Sequence, residues 1–91
     1  MSKKYKVEFT KQAHKMLGKI DPPNKQLIVS WIEDRLEGCD DPRHYGKGLT
    51  SEFAGAWRYR VGDYRIIADI IDDKVVISVL AIGHRSKIYK K

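Results

Sequence analysis

The chain reads as a single α+β domain: a strand, a helical hairpin, then a three-stranded antiparallel meander, with both helices on one face of the sheet. Three observations predict it. Apolar residues alternate at period two in residues 5–9. They recur at helical spacing between residues 13 and 36. The last third returns to period two, with short turn signals between its runs.

Tyr5, Val7 and Phe9 alternate with Lys6 and Glu8, the pattern of a half-buried strand. Thr10 then offers an N-cap hydroxyl. Ala13, Met16, Leu17 and Ile20 make one apolar stripe on a short helix. Asp21, Pro22 and Pro23 end that helix and open the next, as an acidic cap followed by prolines in the first turn. Leu27, Ile28, Trp31, Ile32 and Leu36 form the second stripe, and Gly38 marks its end. Residues 39–56 read as a long loop with room for a short strand.

Trp57, Tyr59 and Val61 alternate with Arg58 and Arg60. Gly62-Asp63 supplies a two-residue hairpin turn. Residues 64–71 return, Asp72-Asp73 is a second and weaker turn signal, and residues 75–82 form a last strand rich in β-branched residues.

The first turn fixes a register. Val61 faces Tyr64, Arg60 faces Arg65, Tyr59 faces Ile66 and Arg58 faces Ile67. Directly opposed side chains share a face. Trp57, Tyr59, Val61, Tyr64, Ile66, Ala68 and Ile70 therefore line the side that receives the helices, and Arg58, Arg60 and Arg65 line the other. A two-residue turn at Asp72-Asp73 pairs Lys74 with Ile71 and Leu80 with Arg65. Val75, Ile77, Val79 and Ala81 then join the core face. Val76, Ser78, Leu80, Ile82 and His84 join the arginine face, whose apolar members a partner could cover.

Like charges opposed across strands are unfavourable by roughly a few tenths of a kcal/mol or more. Nothing acidic stands opposite to relieve the Arg60–Arg65 pair, and Asp69 lies further along the same face. Three arginines in one patch point to a polyanion. The competing reading is a solvated face whose arginine stems cover apolar neighbours. The chain as a whole carries 18 lysines and arginines against 12 acids, a net charge of +6, which also favours an anionic partner.

Other classes of function find little footing. The single cysteine, Cys39, permits no internal disulfide and favours a reducing, cytoplasmic setting. No apolar run is long enough to span a bilayer, and the lysines near the start precede no apolar stretch of signal-peptide type. No histidine or carboxylate pair has metal-ligand spacing, so neither metal nor cofactor is expected. GKGLT lacks the spacing of a P-loop, and no serine or cysteine triad pattern occurs.

His84, Arg85 and Tyr89 follow the last strand. With Arg58, Arg60 and Arg65 they suit a metal-free ribonuclease site. A base takes the ribose 2′-hydroxyl proton, positive charge stabilises the phosphorane, and an acid protonates the leaving 5′-oxygen. Arginine stays charged, so its part is electrostatic. Histidine titrates near neutrality, and neighbouring guanidinium groups would favour a tyrosine phenolate, so His84 and Tyr89 are both candidates for the base. Each also has a structural reading: His84 as a strand-end or partner contact, Tyr89 as a side chain packed back on the sheet. His14 lies off the helix stripe and reads as solvated; His44, in the loop, is assigned no role.

WRYRVGDYRIIADI, VLAIGHRSKIY and the preceding KGL resemble the RelE/ParE toxin superfamily, and the order of elements over the whole chain is similar to it. The resemblance implies a toxin of a bacterial toxin–antitoxin pair. In its RelE-type form this is a metal-independent endoribonuclease that cuts mRNA in the ribosomal A site and leaves a 2′,3′-cyclic phosphate. It also implies a cognate RelB-like antitoxin that wraps the toxin, with operator DNA reached only through that complex and no membrane partner. Residue by residue, it places catalytic roles on Arg58, Arg60 and Arg65, on Arg85 after the last strand, and on Tyr89, with histidine at the position of His84 in many relatives. Lys47, Lys87 and Lys90 are the expected RNA-backbone contacts. The sequence departs from the best-known member in carrying arginine where lysine stands on the first hairpin strand, and in a shorter span from Arg85 to Tyr89. Two alternatives share the fold: a ParE-like gyrase inhibitor acting by protein contact, and a non-catalytic member that binds antitoxin and operator.

Overall fold

The structure is a computed structural model that describes residues 4–49 and 55–87. β1 (Lys6–Phe9) runs through Thr10 into α1 (Lys11–Gly18). Thr10 is extended, and its Oγ1 accepts a hydrogen bond from the Ala13 amide at 3.1 Å, which stops the strand and starts the helix. Ala13 and Leu17 are the buried positions of α1.

α2 (Pro22–Arg35) opens differently from the expected acidic cap. The Asp21 carboxylate accepts from the Asn24 side-chain amide at 3.0 and 3.2 Å and caps no backbone group. Pro22 and Pro23 carry no N–H, so the first donors a cap would satisfy do not exist. Ile28, Ile32 and Leu36, each four residues apart, are buried. Leu27, expected in that stripe, is 51% exposed. One residue is a rotation of about 100° around the helix, so Leu27 cannot share the line that Ile28 takes toward the sheet.

Among the described residues the sheet has five strands: β1, β2 (Gly46–Gly48), β3 (Trp57–Val61), β4 (Tyr64–Ile71) and β5 (Val76–His84), in the order β1-β5-β4-β3-β2. β1 runs parallel to β5 and the other neighbours are antiparallel. The helices form the crossover: α1 packs against β5 and β1, and α2 against β3. Tyr5, Ala13, Leu17, Ile28, Ile32, Leu36, Tyr59, Val61, Ile66, Ala68, Ile77, Val79 and Ile82 make the main core.

β2 is the short strand for which the long loop had room. It pairs Lys47 with Arg58, and Gly46 leaves no room for a Cβ beside the Arg58 carbonyl while Gly48 leaves little beside the Trp57 ring. A Cβ on Gly46 would lie 2.8 Å from the Trp57 ring, and one on Gly48 3.1 Å from it. The indole occupies the space those side chains would need.

The β3–β4 register is the one the Gly62-Asp63 turn predicts, with Gly62 at φ +59°. The β4–β5 register is not. The connection takes four residues, 72–75, held by amide hydrogen bonds from Lys74 to the Ile71 carbonyl and from Val75 to the Asp72 carbonyl, both 3.2 Å. Ile71 therefore pairs with Val76 rather than Lys74. Val75 sits at φ +56°, an unusual conformation for a β-branched residue. A bulge follows: Ala68 pairs with Val79 but Ile67 with Ala81, leaving Leu80 unpaired. The extra residue reverses the faces beyond it. Ile82, expected on the arginine face, is buried in the core at 1% exposure, and Ala81 turns to the opposite side. Arg65 faces Gly83, not Leu80, and His84 faces Tyr64 on the helix side of the sheet.

The apolar residues left on the arginine side are covered in part by the chain itself. Ile67 and Ala56 are buried there, with Met16, Leu49 and Ala81 packed against them.

Candidate nucleic-acid interface

The open face carries two like-charge pairs. Lys47 stands opposite Arg58 across β2–β3, and Arg60 opposite Arg65 across β3–β4. Arg58 and Arg65 are half-buried, while Lys47 and Arg60 are exposed. The Arg65 Nη1 donates to the Gly62 and Tyr64 carbonyls at 3.3 and 3.2 Å, which ties its guanidinium to the hairpin turn. Gly83, opposite Arg65, puts no side chain beside it.

Arg85 arrives at the same turn from the end of β5. Its amide donates to the Asp63 carbonyl at 2.8 Å, and its Nε lies 4.0 Å from the Asp63 carboxylate. That ion pair is solvent-exposed on both sides and leaves the arginine available to a stronger anion. Lys47, Arg58, Arg60 and Arg65 thus share one face of the sheet, and Arg85 meets its hairpin turn at Asp63.

Two of the other expected site residues lie elsewhere. His84 joins Tyr64, with ring centroids 5.7 Å apart at 84°. These two, with Met16, Ile20 and Lys87, line a separate cavity of about 580 Å³. The His84 Nδ1 accepts from the Ser86 amide at 3.2 Å and lies 2.8 Å from the Ser86 hydroxyl. An amide can only donate, so the neutral ring carries its proton on Nε2. The nitrogen that would act as base already receives hydrogen bonds. Tyr89 and Lys90 fall outside the described residues.

His44, given no role from sequence, comes to the cationic strip instead. With Tyr45, Gly46, Lys47, Arg58 and Arg60 it lines a cavity of about 290 Å³. The signal that would have found it is β2. Once Lys47 is registered on Arg58, the residues just before Gly46 must run beside Arg60.

The loop carrying His44 is anchored just before it, at Pro42 and Arg43. The Tyr59 hydroxyl donates to the Pro42 carbonyl at 2.6 Å in the core. The Arg43 guanidinium donates to both oxygens of Asp72 at 3.0 and 2.9 Å, and Tyr5 donates to the same carboxylate at 2.7 Å. That shared hydrogen bond raises the Tyr5 phenol above its usual range.

Among the described residues no three histidine, cysteine or acidic side chains gather as a metal site, and no helix is long and apolar enough to cross a membrane.

The family model for the ParE toxin of type II toxin–antitoxin systems matches residues 7–89. The chain belongs to this toxin family. Toxin RelG of Mycobacterium tuberculosis is 32% identical over 87 residues, covering 96% of this chain and 98% of the relative. The toxin–antitoxin complex RelBE2 from the same organism contains a chain of 32% identity that superposes with a TM-score of 0.81, covering 90% of this chain and 99% of that one. The RelE–RelB complex of Pyrococcus horikoshii gives 28% identity and a TM-score of 0.69, over 92% and 98% of the two chains. Isolated E. coli RelE shares the fold at 22% identity and a TM-score of 0.70, over 88% of this chain and 83% of that one. The protein is a RelE-like member of the RelE/ParE superfamily and a toxin of the type II class.

Proposed function

We propose that the toxin is a metal-independent endoribonuclease that cuts mRNA, with the ribosomal A site supplying substrate alignment. The observation that carries this reading is the opposition of Lys47 to Arg58 and of Arg60 to Arg65 on one face of the sheet. Such pairs weaken a free sheet and strengthen it once phosphates lie across it.

In the reaction the ribose 2′-oxygen attacks phosphorus and its proton passes to a base. The phosphorus–O5′ bond breaks, and the 5′-oxygen takes a proton as it leaves. The products are a 2′,3′-cyclic phosphate and a 5′-hydroxyl. Arg58, Arg60, Arg65 and Arg85 stabilise the charge that builds on the phosphorane oxygens. Lys47 holds a flanking phosphate. The base falls to Tyr89 rather than His84, because His84 turns to the helix side and its Nδ1 is occupied. A guanidinium group beside a tyrosine favours the phenolate such a base requires. A RelB-like antitoxin is the partner that holds the toxin inactive, as the toxin–antitoxin complexes of the M. tuberculosis and P. horikoshii relatives suggest.

The matching family model bears the name of ParE, which favours a second reading: a protein-contact inhibitor of DNA gyrase. Primer extension on a ribosome-bound message decides between them. The ribonuclease reading expects cuts within the A-site codon and unaltered gyrase supercoiling. An intact message with supercoiling inhibited overturns it.

A further inference from the structure

We propose that the cavity between His44-Tyr45 and the Arg58–Arg60 stretch of β3 is a nucleotide subsite, seating the base of the residue next to the cleaved phosphate. This subsite rests on the ribonuclease reading and names where the substrate's neighbouring nucleotide lies.

Three observations support it. The first is shape and size. The His44 and Tyr45 rings stand 4.9 Å apart at 88°, so a planar base lying on one ring abuts the other. The space of about 290 Å³ is at the small end of ligand pockets, suited to one base and not to a longer segment. The second is charge. Lys47, Arg58 and Arg60 line the same cavity and among the described residues no acid does, so a phosphate is welcome beside the rings. Aromatic platforms beside a basic groove are how single-stranded RNA is held, since every base has a face to stack.

The third is rigidity. Both rings are exposed, Tyr45 at 39%, yet the segment is fixed from behind. Pro42 is held by Tyr59, Arg43 by Asp72, and Tyr45 meets Trp31 edge-on at 6.3 Å. Pro42 and Arg43 anchor the chain before the two exposed rings and Gly46, paired with Tyr59, anchors it after them, so the rings are presented already ordered and little entropy is lost when a base arrives.

The test uses the full-length toxin and 2′-O-methyl hexaribonucleotides, which lack the attacking hydroxyl and stay intact. One abasic nucleotide is stepped along the oligomer, and dissociation constants are read from NMR titrations of wild type, His44→Ala, Tyr45→Ala and Arg58→Ala. His44→Ala leaves the Tyr45–Trp31 contact in place and covers the case in which Tyr45→Ala fails to fold. The subsite predicts that one abasic position weakens wild-type binding about tenfold or more. That step disappears in His44→Ala and Tyr45→Ala, and Arg58→Ala weakens every oligomer alike. A flat abasic profile, or a step unchanged in both ring variants, overturns the subsite; Arg58 sensitivity and A-site cuts would then leave the ribonuclease reading standing. Failure of wild type to bind any oligomer overturns the subsite too, while primer extension separately decides the activity.

Discussion

Lys47 lies directly opposite Arg58 across the β2–β3 pair, two cations at neighbouring positions of one sheet face. Arg60 faces Arg65 across the next strand pair, a second opposition of like charges on the same face. Under the proposed function the feature that weakens the free sheet also suits it to a phosphate chain, and the two consequences can be measured apart.

Lys47→Glu turns one repulsive pair into an attractive one. Thermal melting should show the variant more stable by roughly 0.3–1 kcal/mol, while cleavage falls because a phosphate contact becomes a repulsion. A variant that loses stability would show that the pair is already neutralised.

The bulge at Leu80 makes a sharp distinction between adjacent residues. Ile82, 1% exposed, should cost about 2–4 kcal/mol on truncation to alanine. Leu80, 37% exposed, should cost less, roughly 1–2 kcal/mol in the same urea titration, since more than a third of its surface stays in water. Equal costs would contradict the bulged register.

This is also where sequence reading and structure part. The Gly62-Asp63 turn was legible because glycine at positive φ forces a two-residue loop, and the Arg60–Arg65 pairing follows from it by counting. Asp72-Asp73 carries no such constraint. Val75, not glycine, takes the positive φ, and the bulged Leu80 is as apolar as its paired neighbours. Alternation therefore counted through a residue that the ladder skips and put Ile82 and His84 on the wrong face. β2 was hidden for another reason: its glycines make room for Trp57, a long-range contact with no local signature. His44 was missed with it. The placement of Arg58, Arg60 and Arg65 on one face was legible, and the loop that stands beside them was not.

Burial pushes the Tyr59 phenol well above its ordinary 10.0, and its proton is held in the bond to Pro42. A raised acid contributes stability that is complete below the unfolded value and is lost as pH rises past it. Wild type should therefore weaken steeply above about pH 10. Tyr59→Phe should lose about 1 kcal/mol at neutral pH, by leaving the Pro42 carbonyl without its partner, and its deficit should shrink above pH 10. Parallel pH profiles for the two proteins would remove Tyr59 from the alkaline transition.

His84→Ala should retain cleavage within about tenfold of wild type, because loss of a true general base typically costs about 10²–10⁴-fold. A loss in that larger range would bring His84 back to the reacting atoms and argue for a rearranged β5 end on the ribosome.

The central claim is that the open arginine face cuts RNA, and Arg65 is its most firmly positioned member. The most direct measurement is the single-turnover cleavage rate of a ribosome-bound message by wild type and Arg65→Ala, with melting curves recorded alongside. The account predicts a loss of at least about 100-fold with the melting curve little changed, since an oriented charge is removed from the transition state. Cleavage at the wild-type rate by a folded Arg65→Ala would contradict it.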